Sequence, residues 1–537
     1  MIKTKIDPLL PYKLDCCLLT ILAFTLLVRI PYLIGNTIPF MYDHGRDGIA
    51  VLHMLLTCSP KFVGPAASLQ GLFFGPGWYY LIAPFYLVGL GNPVFPVFAM
   101  VLLSLIEVYL AYRYFGKFAA LIIAASHAFM SLAVSAWNPF PMPLLTLILL
   151  ILFKKTKETG TLTSKQGLLM GITASFGFHF STAYAIFYPV IIAIALFLQK
   201  IKVRASVLVL VFLGFIVPLI PQILFEIKHN FPEVRGVIAY VTQGNVHESE
   251  DGKIGRVVMT VFDQLTSSSL PEIWLPSEVA PKLATTLVLA FLAILVWYTV
   301  KNHKKLDFPL LGEALLFIVI PTFGYFFLHF SLWYTYPMLP AAVILVSKLI
   351  ENSPKLFQRL VVLLLILSPL TFQVNYFLNE RDWFLGHNDY LPAKLKALEV
   401  VRQEAEDKPF ASYHYTPSVY DYTYQHLYFI EAWRGKTLPV EFSYKPGEVA
   451  YIPEKPELLA RFETQENHKP ELIFFIVEKQ PAKFEEEELL FEELRNQWWR
   501  QQLPHKVIEE IPISPHMVVY KAVPISAEKA SENKIDI

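Results

Sequence analysis

The feature that most limits how this chain can fold is the recurrence of apolar runs long enough to cross a bilayer. They lie near 14–35, 93–112, 118–134, 167–179, 181–199, 206–225, 282–300, 309–330, 333–350 and 358–378, with a shorter one at 140–153. A helix rises about 1.5 Å per residue, so about 20 residues span the hydrocarbon core. Only 17% of the 537 residues are charged, too few to coat a soluble protein of this length. A polytopic α-helical membrane protein is therefore expected.

Charge placement orients the runs, because Lys and Arg of short loops stay on the cytoplasmic side. The segment "LFFGPGWYYLIAPFYLVGLG" at 72–91 decides the count, since crossing there moves every later loop to the other face. If it does not cross, the inner loops carry Arg113 and Lys117, then Lys154, Lys155, Lys157 and Lys165, then Lys200, Lys202 and Arg204. Lys301, Lys304 and Lys305, and then Lys355 and Arg359, complete the inner set, while the opposite loops at 135–143, 178–182 and 331–336 hold no Lys or Arg. Gly75, Pro76, Gly77 and Pro84 also interrupt a straight helix, and Trp78, Tyr79, Tyr80 and Tyr86 suit the headgroup level. The segment is read as interfacial or re-entrant.

About eleven transmembrane helices follow, in a plasma or inner membrane, with the N-terminus cytoplasmic. Lys3, Lys5 and Lys13 precede the first run and no small-residue cleavage site follows it, which suits an uncleaved signal anchor. The transmembrane domain is expected over 1–379, with a first outer loop at 36–91 bearing juxtamembrane helices and another outer loop at 226–281. Charge rises over 380–537, where "ELIFFIVE" and "MVVYKAV" alternate with helical stretches at 417–432 and 484–501, so a C-terminal extracytoplasmic α/β domain is expected. The run of four glutamates at 485–488 suits a solvated helix start, and the last dozen residues have the composition of a disordered tail. Zero net charge leaves no nucleic-acid footprint, and Cys16, Cys17 and Cys58 give neither a disulfide framework nor a metal-ligand spacing.

Just past the outer end of the first run stands "MYDHGRDG", residues 41–48. In a helix Asp43 and Asp47 share a face, with Arg46 and His44 beside them. A bland alternative is a capped amphipathic helix lying in the interface. The same topology brings Asn138, His179, "FEIKHNFPE" with its Glu226, and "WYTYPMLP" with its Tyr334 to the outer rim. Each has a plain structural alternative: a turn before Pro139, a hydrogen-bonding histidine, a headgroup-level charge cluster, an interfacial aromatic. Arg29 lies within the first run, where its charge must be paired or snorkel.

In this order and on this side, these residues resemble the GT-C class of multi-spanning glycosyltransferases. The nearest in kind are the protein O-mannosyltransferases, the lipid A aminoarabinose transferases and their bacterial kin. The likeness rests on Arg29 in "LVRIPYL", on "YDHGRD", on Gly75 to Tyr80, on "FEIKHNF" and on "WYTYPMLP", and covers roughly 14–350. It implies a GT-C-like fold in which Asp43 is the essential first-loop aspartate. It also implies transfer of a sugar, with inversion, from a polyprenyl-phosphate donor to an extracytoplasmic lipid, glycan or protein. Many relatives place a second acid or a histidine ahead of the "GP" segment; this chain has Phe73 and Phe74 there, which leaves Asp47 or Glu226 to fill that role.

The chemistry asks for a cation where the leaving phosphate gains charge, which suggests Arg46 and Arg29 with Lys61 behind them. It asks for a carboxylate to take the acceptor proton, which suggests Asp43. His44, His179, Asn138, Trp78 and Tyr334 remain as substrate contacts. Phosphate leaves readily without help, so no metal is compelled, although Asp43 and Asp47 could share a divalent cation. Membrane lipids are the other expected partner. The rival class is a transporter or flippase of a lipid-linked or small polar substrate. It is disfavoured because the cores of spans two to eleven are nearly free of charge apart from Glu107 and the halves show no similarity.

Overall fold

The computed structural model describes residues 15–67, 71–242, 252–271, 308–417, 420–447, 451–464, 468–479 and 485–525, with positions 293, 297 and 301. The N-terminal lysines, nearly all of the run at 282–300 and the last dozen residues lie outside the described residues. Asp15 opens α1 (Cys16–Ile34) by accepting from the Leu18 N–H at 2.8 Å. Next come α2 (Tyr42–Thr57), α3 (Gly77–Val88), α4 (Phe95–Phe115), α5 (Lys117–Ala125), α6 (His127–Ala133), α7 (Met142–Thr159) and α8 (Ser164–Phe180). Then follow α9 (Thr182–Ala185), α10 (Tyr188–Leu198), α11 (Ala205–Ile216), α12 (Ile220–Lys228), α13 (Pro232–Thr242) and α14 (Lys253–Ser269). Helices Phe308–Tyr325, Leu339–Glu351 and Lys355–Asn375 complete the bundle.

Among the described residues, five helical stretches are long and apolar enough to cross a membrane: Cys16–Ile34, Phe95–Phe115, Ala205–Lys228, Leu332–Glu351 and Lys355–Gly386. Several apolar runs are broken rather than continuous. The run at 118–134 divides into α5 and α6 at Ser126, and that at 181–199 into α9 and α10. α3 has 12 residues, about 18 Å of helix, too short to cross. Its aromatics do not form the headgroup belt expected of them: Trp78, Tyr79 and Tyr86 are buried against protein, and Tyr80 alone of the four is exposed.

The C-terminal domain is built on a five-stranded mixed sheet of order β2–β1–β3–β5–β4. The strands are β1 (Phe410–Tyr415), β2 (Glu441–Ser443), β3 (Leu472–Glu478), β4 (His505–Ser514) and β5 (Met517–Pro524). β1 pairs parallel with β2 and β3, and β5 pairs antiparallel with β3 and β4. β3 is apolar at both faces because helices cover both. Ile473, Phe475 and Val477 pack with Trp498 of helix Glu485–Trp499, whereas Phe474 and Ile476 join the core that continues into the membrane helices. The domain is thus fused to the bundle through its inner face.

Inside this domain Ser412 Oγ lies 2.9 Å from His414 Nε2, and His414 Nδ1 bonds to Asp421. The order resembles a hydrolase relay, but all three residues are fully enclosed and Tyr428 donates to the serine at 2.9 Å. No substrate can reach the hydroxyl, so the cluster is a satisfied buried network.

Candidate functional site

α2 carries the densest chemistry because its start is pinned from several sides. The Met41 N–H donates to His44 Nδ1 at 3.2 Å, which leaves the proton on Nε2 to donate to Ser135 Oγ at 2.9 Å. Burial lowers the His44 pKa to about 4, so this imidazole stays neutral. One turn on, Arg46 bridges two carboxylates: Nη1 meets Asp43 Oδ1 at 2.7 Å, and Nε and Nη2 each meet Asp47 Oδ1 at 2.8 Å. The Tyr42 ring lies 5.6 Å from the guanidinium. The Trp78 indole N–H takes the remaining Asp47 oxygen, Oδ2, at 2.8 Å.

The two aspartates differ in setting. Asp43 is 33% exposed at its side chain and Asp47 only 3%. Burial pushes the Asp47 carboxyl up to about 6, against the pull of Arg46 in the other direction. Arg46 also occupies the space a cation shared by Asp43 and Asp47 would need, so the pair does not fit a divalent ion. Among the described residues no group of three or more His, Cys, Asp or Glu is placed to hold a metal.

The loop ahead of α3 is seated on the end of α8. Gly64 N–H donates to Phe74 O at 2.7 Å and Phe74 N–H to Pro65 O at 2.9 Å, closing a tight ribbon. Gly75 N–H donates to Phe178 O at 3.0 Å, and Gly77 N–H donates to His179 Nδ1 at 3.0 Å. A Cβ on Gly75 would stand 2.2 Å from that same Nδ1. The glycines are therefore needed where the His179 ring sits, and the histidine is spent on the seat. This fastening presents Phe73 and Phe74 to a cavity.

That cavity has a volume of about 1330 Å³ and is lined from α2, the Phe73 loop, the α8–α9 junction, α12, α13 and the 325–334 segment. Its polar groups include Asp43, Arg46, Asn138, Gln222, Glu226, Glu233 and His329; apolar and aromatic side chains such as Phe73, Phe74, Trp137, Ile223, Val237 and Tyr334 make most of the wall. Asn138 donates to Phe180 O at 2.7 Å. Tyr334 stacks on Tyr325 at 5.7 Å between ring centres.

Of the residues singled out from sequence, Asp43, Arg46, Asn138, Glu226 and Tyr334 come to this one cavity. Asp47, His44, Trp78 and His179 support it from behind without lining it. Lys61 is turned away and pairs with Glu454 of the C-terminal domain at 2.9 Å. Arg29 does not line the cavity either. It is fully enclosed and donates to the carbonyls of Ala124 at 3.0 Å, Thr25 at 3.1 Å and Ile123 at 3.3 Å. The break at Ser126 leaves the last α5 carbonyls without intrahelical donors, and Arg29 supplies them from within an apolar helix long enough to cross a membrane.

Glu226 reaches the cavity rim but spends its carboxylate on α13, accepting from Glu233 N–H at 3.0 Å and Val234 N–H at 3.3 Å. The turn between α12 and α13 carries two consecutive left-handed residues, Asn230 and Phe231, both at φ +59°. Asn tolerates this conformation; for Phe it costs about 1–3 kcal/mol, a strain that is kept where surroundings over-determine it.

Gln222, Glu233 and His329 went unnoticed in the sequence, as did the glycines of α2. A Cβ at Gly45 would stand 2.5 Å from the Thr423 backbone, and one at Gly48 would stand 2.4 Å from the His426 ring. These close approaches dock helix Tyr422–Trp433 of the C-terminal domain on the back of α2. Glycine spaced three apart beside a charged motif was the available signal.

The backbone is similar to that of ArnT from Cupriavidus metallidurans, a lipid A aminoarabinose transferase of the GT-C fold, solved bound to undecaprenyl phosphate. The TM-score is 0.55 at 11% identity, covering 94% of this chain and 97% of that one. Against the same protein without ligand the TM-score is 0.54 at 12% identity, with the same coverage. At this identity the likeness shows a shared fold. No protein-family model matches the chain, and no curated protein matches its sequence.

Proposed function

We propose that the protein transfers a sugar from a polyprenyl-phosphate donor to an extracytoplasmic acceptor, with inversion at the anomeric carbon. The observation that carries this reading is the presentation of Asp43 and Arg46, side by side, to one large cavity with mostly apolar walls. Apolar and aromatic walls suit a prenyl chain; a guanidinium suits its phosphate. The ArnT structure bound to undecaprenyl phosphate, on the same fold, supports the choice of donor class.

In this reading Arg46 faces the donor phosphate and offsets the charge that grows as the anomeric C–O bond breaks. Asp43 accepts the proton of the acceptor hydroxyl as that oxygen bonds to the anomeric carbon from the opposite side. Asp47 and the Trp78 indole fix the guanidinium and do not touch substrate. The acceptor is a lipid, glycan or protein carrying a nucleophilic hydroxyl, and the polyprenyl monophosphate is the leaving group. The reading includes eleven spans, with α2, the cavity and the C-terminal domain on the outer side.

Asp43→Asn should lower transfer by at least about 100-fold, the scale of a general base, with membrane insertion unchanged. Full activity in that variant would overturn the assignment. Single cysteines placed at positions 156 and 250 should label from opposite sides, 156 from the cytoplasm. Labelling from one side would overturn the topology.

A further inference from the structure

A second polar pole of the cavity lies on the α12–α13 elbow, and its geometry is not explained by holding the elbow together. Glu226 already performs that task by capping the first N–H groups of α13, while Phe231 N–H closes α12 on Glu226 O at 2.8 Å. Arg235 adds a tie to His229 O at 3.3 Å. Glu233 takes no part in these bonds through its side chain. Its carboxyl instead lies in the cavity wall, where Gln222 Nε2 stands 2.9 Å from both oxygens and 3.1 Å from Phe73 O.

The amide nitrogen of Gln222 has two protons and three acceptors around it, so it is saturated. It fixes the plane of the Glu233 carboxyl, and among the described residues no other side chain bonds to either oxygen of this cavity-lining group. Two parallel acceptor positions on one rigid carboxyl match two neighbouring hydroxyl groups of a sugar. They do not match a phosphate, which a carboxylate repels. The strained Asn230–Phe231 turn is what carries Glu233 to this position, and backbone strain of this kind gathers at functional sites.

We infer that Glu233 is a substrate-contacting residue that binds sugar hydroxyl groups in the cavity and so sets which sugar is used, with Gln222 as its positioning residue. The inference rests on the glycosyl-transfer reading and divides the site into a phosphate pole at Arg46 and a sugar pole at Glu233. Burial beside Glu226 pushes the Glu233 carboxyl up to about 7. Near neutral pH it therefore both donates and accepts, as hydroxyl partners require.

The test uses the full chain in lipid nanodiscs, with Glu233→Gln and Glu233→Ala. Three probes are titrated: polyprenyl phosphate without a sugar, and polyprenyl phosphate carrying a hexose or a pentose. Both variants should bind the bare lipid phosphate within about 2-fold of wild type. They should bind and turn over the preferred sugar donor about 10-fold to 100-fold less well, with the hexose-to-pentose ratio changed. A rise confined to the KM of the acceptor would overturn the assignment of Glu233 to the donor sugar.

Unchanged affinity, turnover and sugar preference would overturn the inference. So would an equal loss toward the bare phosphate, which would mark a structural role. Arg235→Ala is the structural control, expected to loosen the elbow and lower the melting temperature while leaving sugar preference intact. Binding repeated in the Asp43→Asn background separates the two levels of the argument. If that variant transfers normally, the catalytic reading fails while the binding arms still judge Glu233; if it is inactive and Glu233→Gln resembles wild type, only this inference fails.

Discussion

The two sides of α2 are built on opposite principles. Toward the cavity and α3 it offers Asp43, Arg46 and Asp47 in a closed set of ion pairs. Toward helix Tyr422–Trp433 of the C-terminal domain it closes at Gly45 and Gly48, where backbone and ring stand in the place of a side chain, while Tyr42 packs on Tyr422 and His53 pairs with Glu457 to either side. On that second side the His426 ring presses on Gly48 and is flanked by Phe40 at 5.7 Å and Tyr86 at 5.5 Å. Burial lowers the His426 pKa to about 3, so the ring packs as a neutral aromatic. The residues proposed to react are thus held on a helix that the C-terminal domain backs.

Arg46→Ala should break the charged side most severely. It leaves two carboxylates facing each other without their shared cation and removes the group proposed to meet the leaving phosphate, so transfer should fall by about 100-fold to 1000-fold. Arg46→Lys keeps the charge but cannot bridge both aspartates in the same way, and should recover only part of the rate. Steady-state transfer and donor binding, measured on both variants, check this. Equal activity of the Lys variant and wild type would mean that the bridging geometry is dispensable.

The glycine side should respond in two grades. At Gly45 a methyl group meets backbone, which cannot step aside; at Gly48 it meets the His426 ring, which a second substitution can remove. Overpacking costs about 1–3 kcal/mol, and Gly45→Ala should lie at the upper end. In Gly48→Ala the loss of thermal stability and of transfer rate should be partly reversed by His426→Ala, although that change alone opens a cavity. The double-mutant cycle supplies the measure. Purely additive effects would show that the docked helix does not bear on α2.

Local signals made much of this legible in the sequence. Apolar runs placed α1, α4 and the helices near 333–378, because length and hydropathy depend on neighbours in sequence alone. Asp43, Arg46, Asn138, Glu226 and Tyr334 stood in rim segments dense in ionisable or aromatic groups, and they meet at one cavity. What escaped depends on distant contacts. Arg29 reads as a phosphate ligand until the α5 break, 95 positions further on, supplies carbonyls for it. His179 reads as a site histidine until Gly75 and Gly77 are seen against its ring. In "FEIKHNFPE" the sequence points to Glu226 and not to Glu233, because nothing local shows that the Glu226 carboxylate turns to cap the following helix. Asn230 and Pro232, a left-handed tolerant residue and a first-turn proline, were the signal that a new helix begins there.

The smallest predicted effect sharpens the charged side of α2 through pH. With Asp47 ionised, the set of Asp43, Arg46 and Asp47 carries a net charge of −1, which opposes an anionic lipid; with Asp47 protonated the set is neutral. Burial raises the Asp47 pKa to about 6, so the carboxyl is ionised at pH 7.5, and lowering the pH to 5 removes that charge. Donor affinity should rise several-fold over this window, as expected for one charge at close range in partly screened surroundings. A sugar phosphodiester is the right probe, because a phosphate monoester titrates near pH 6 on its own. Asp47→Asn should bind the diester at pH 7.5 about as well as wild type does at pH 5, and should flatten the profile. A wild-type profile that is already flat would place the Asp47 titration outside this pH range and overturn the prediction.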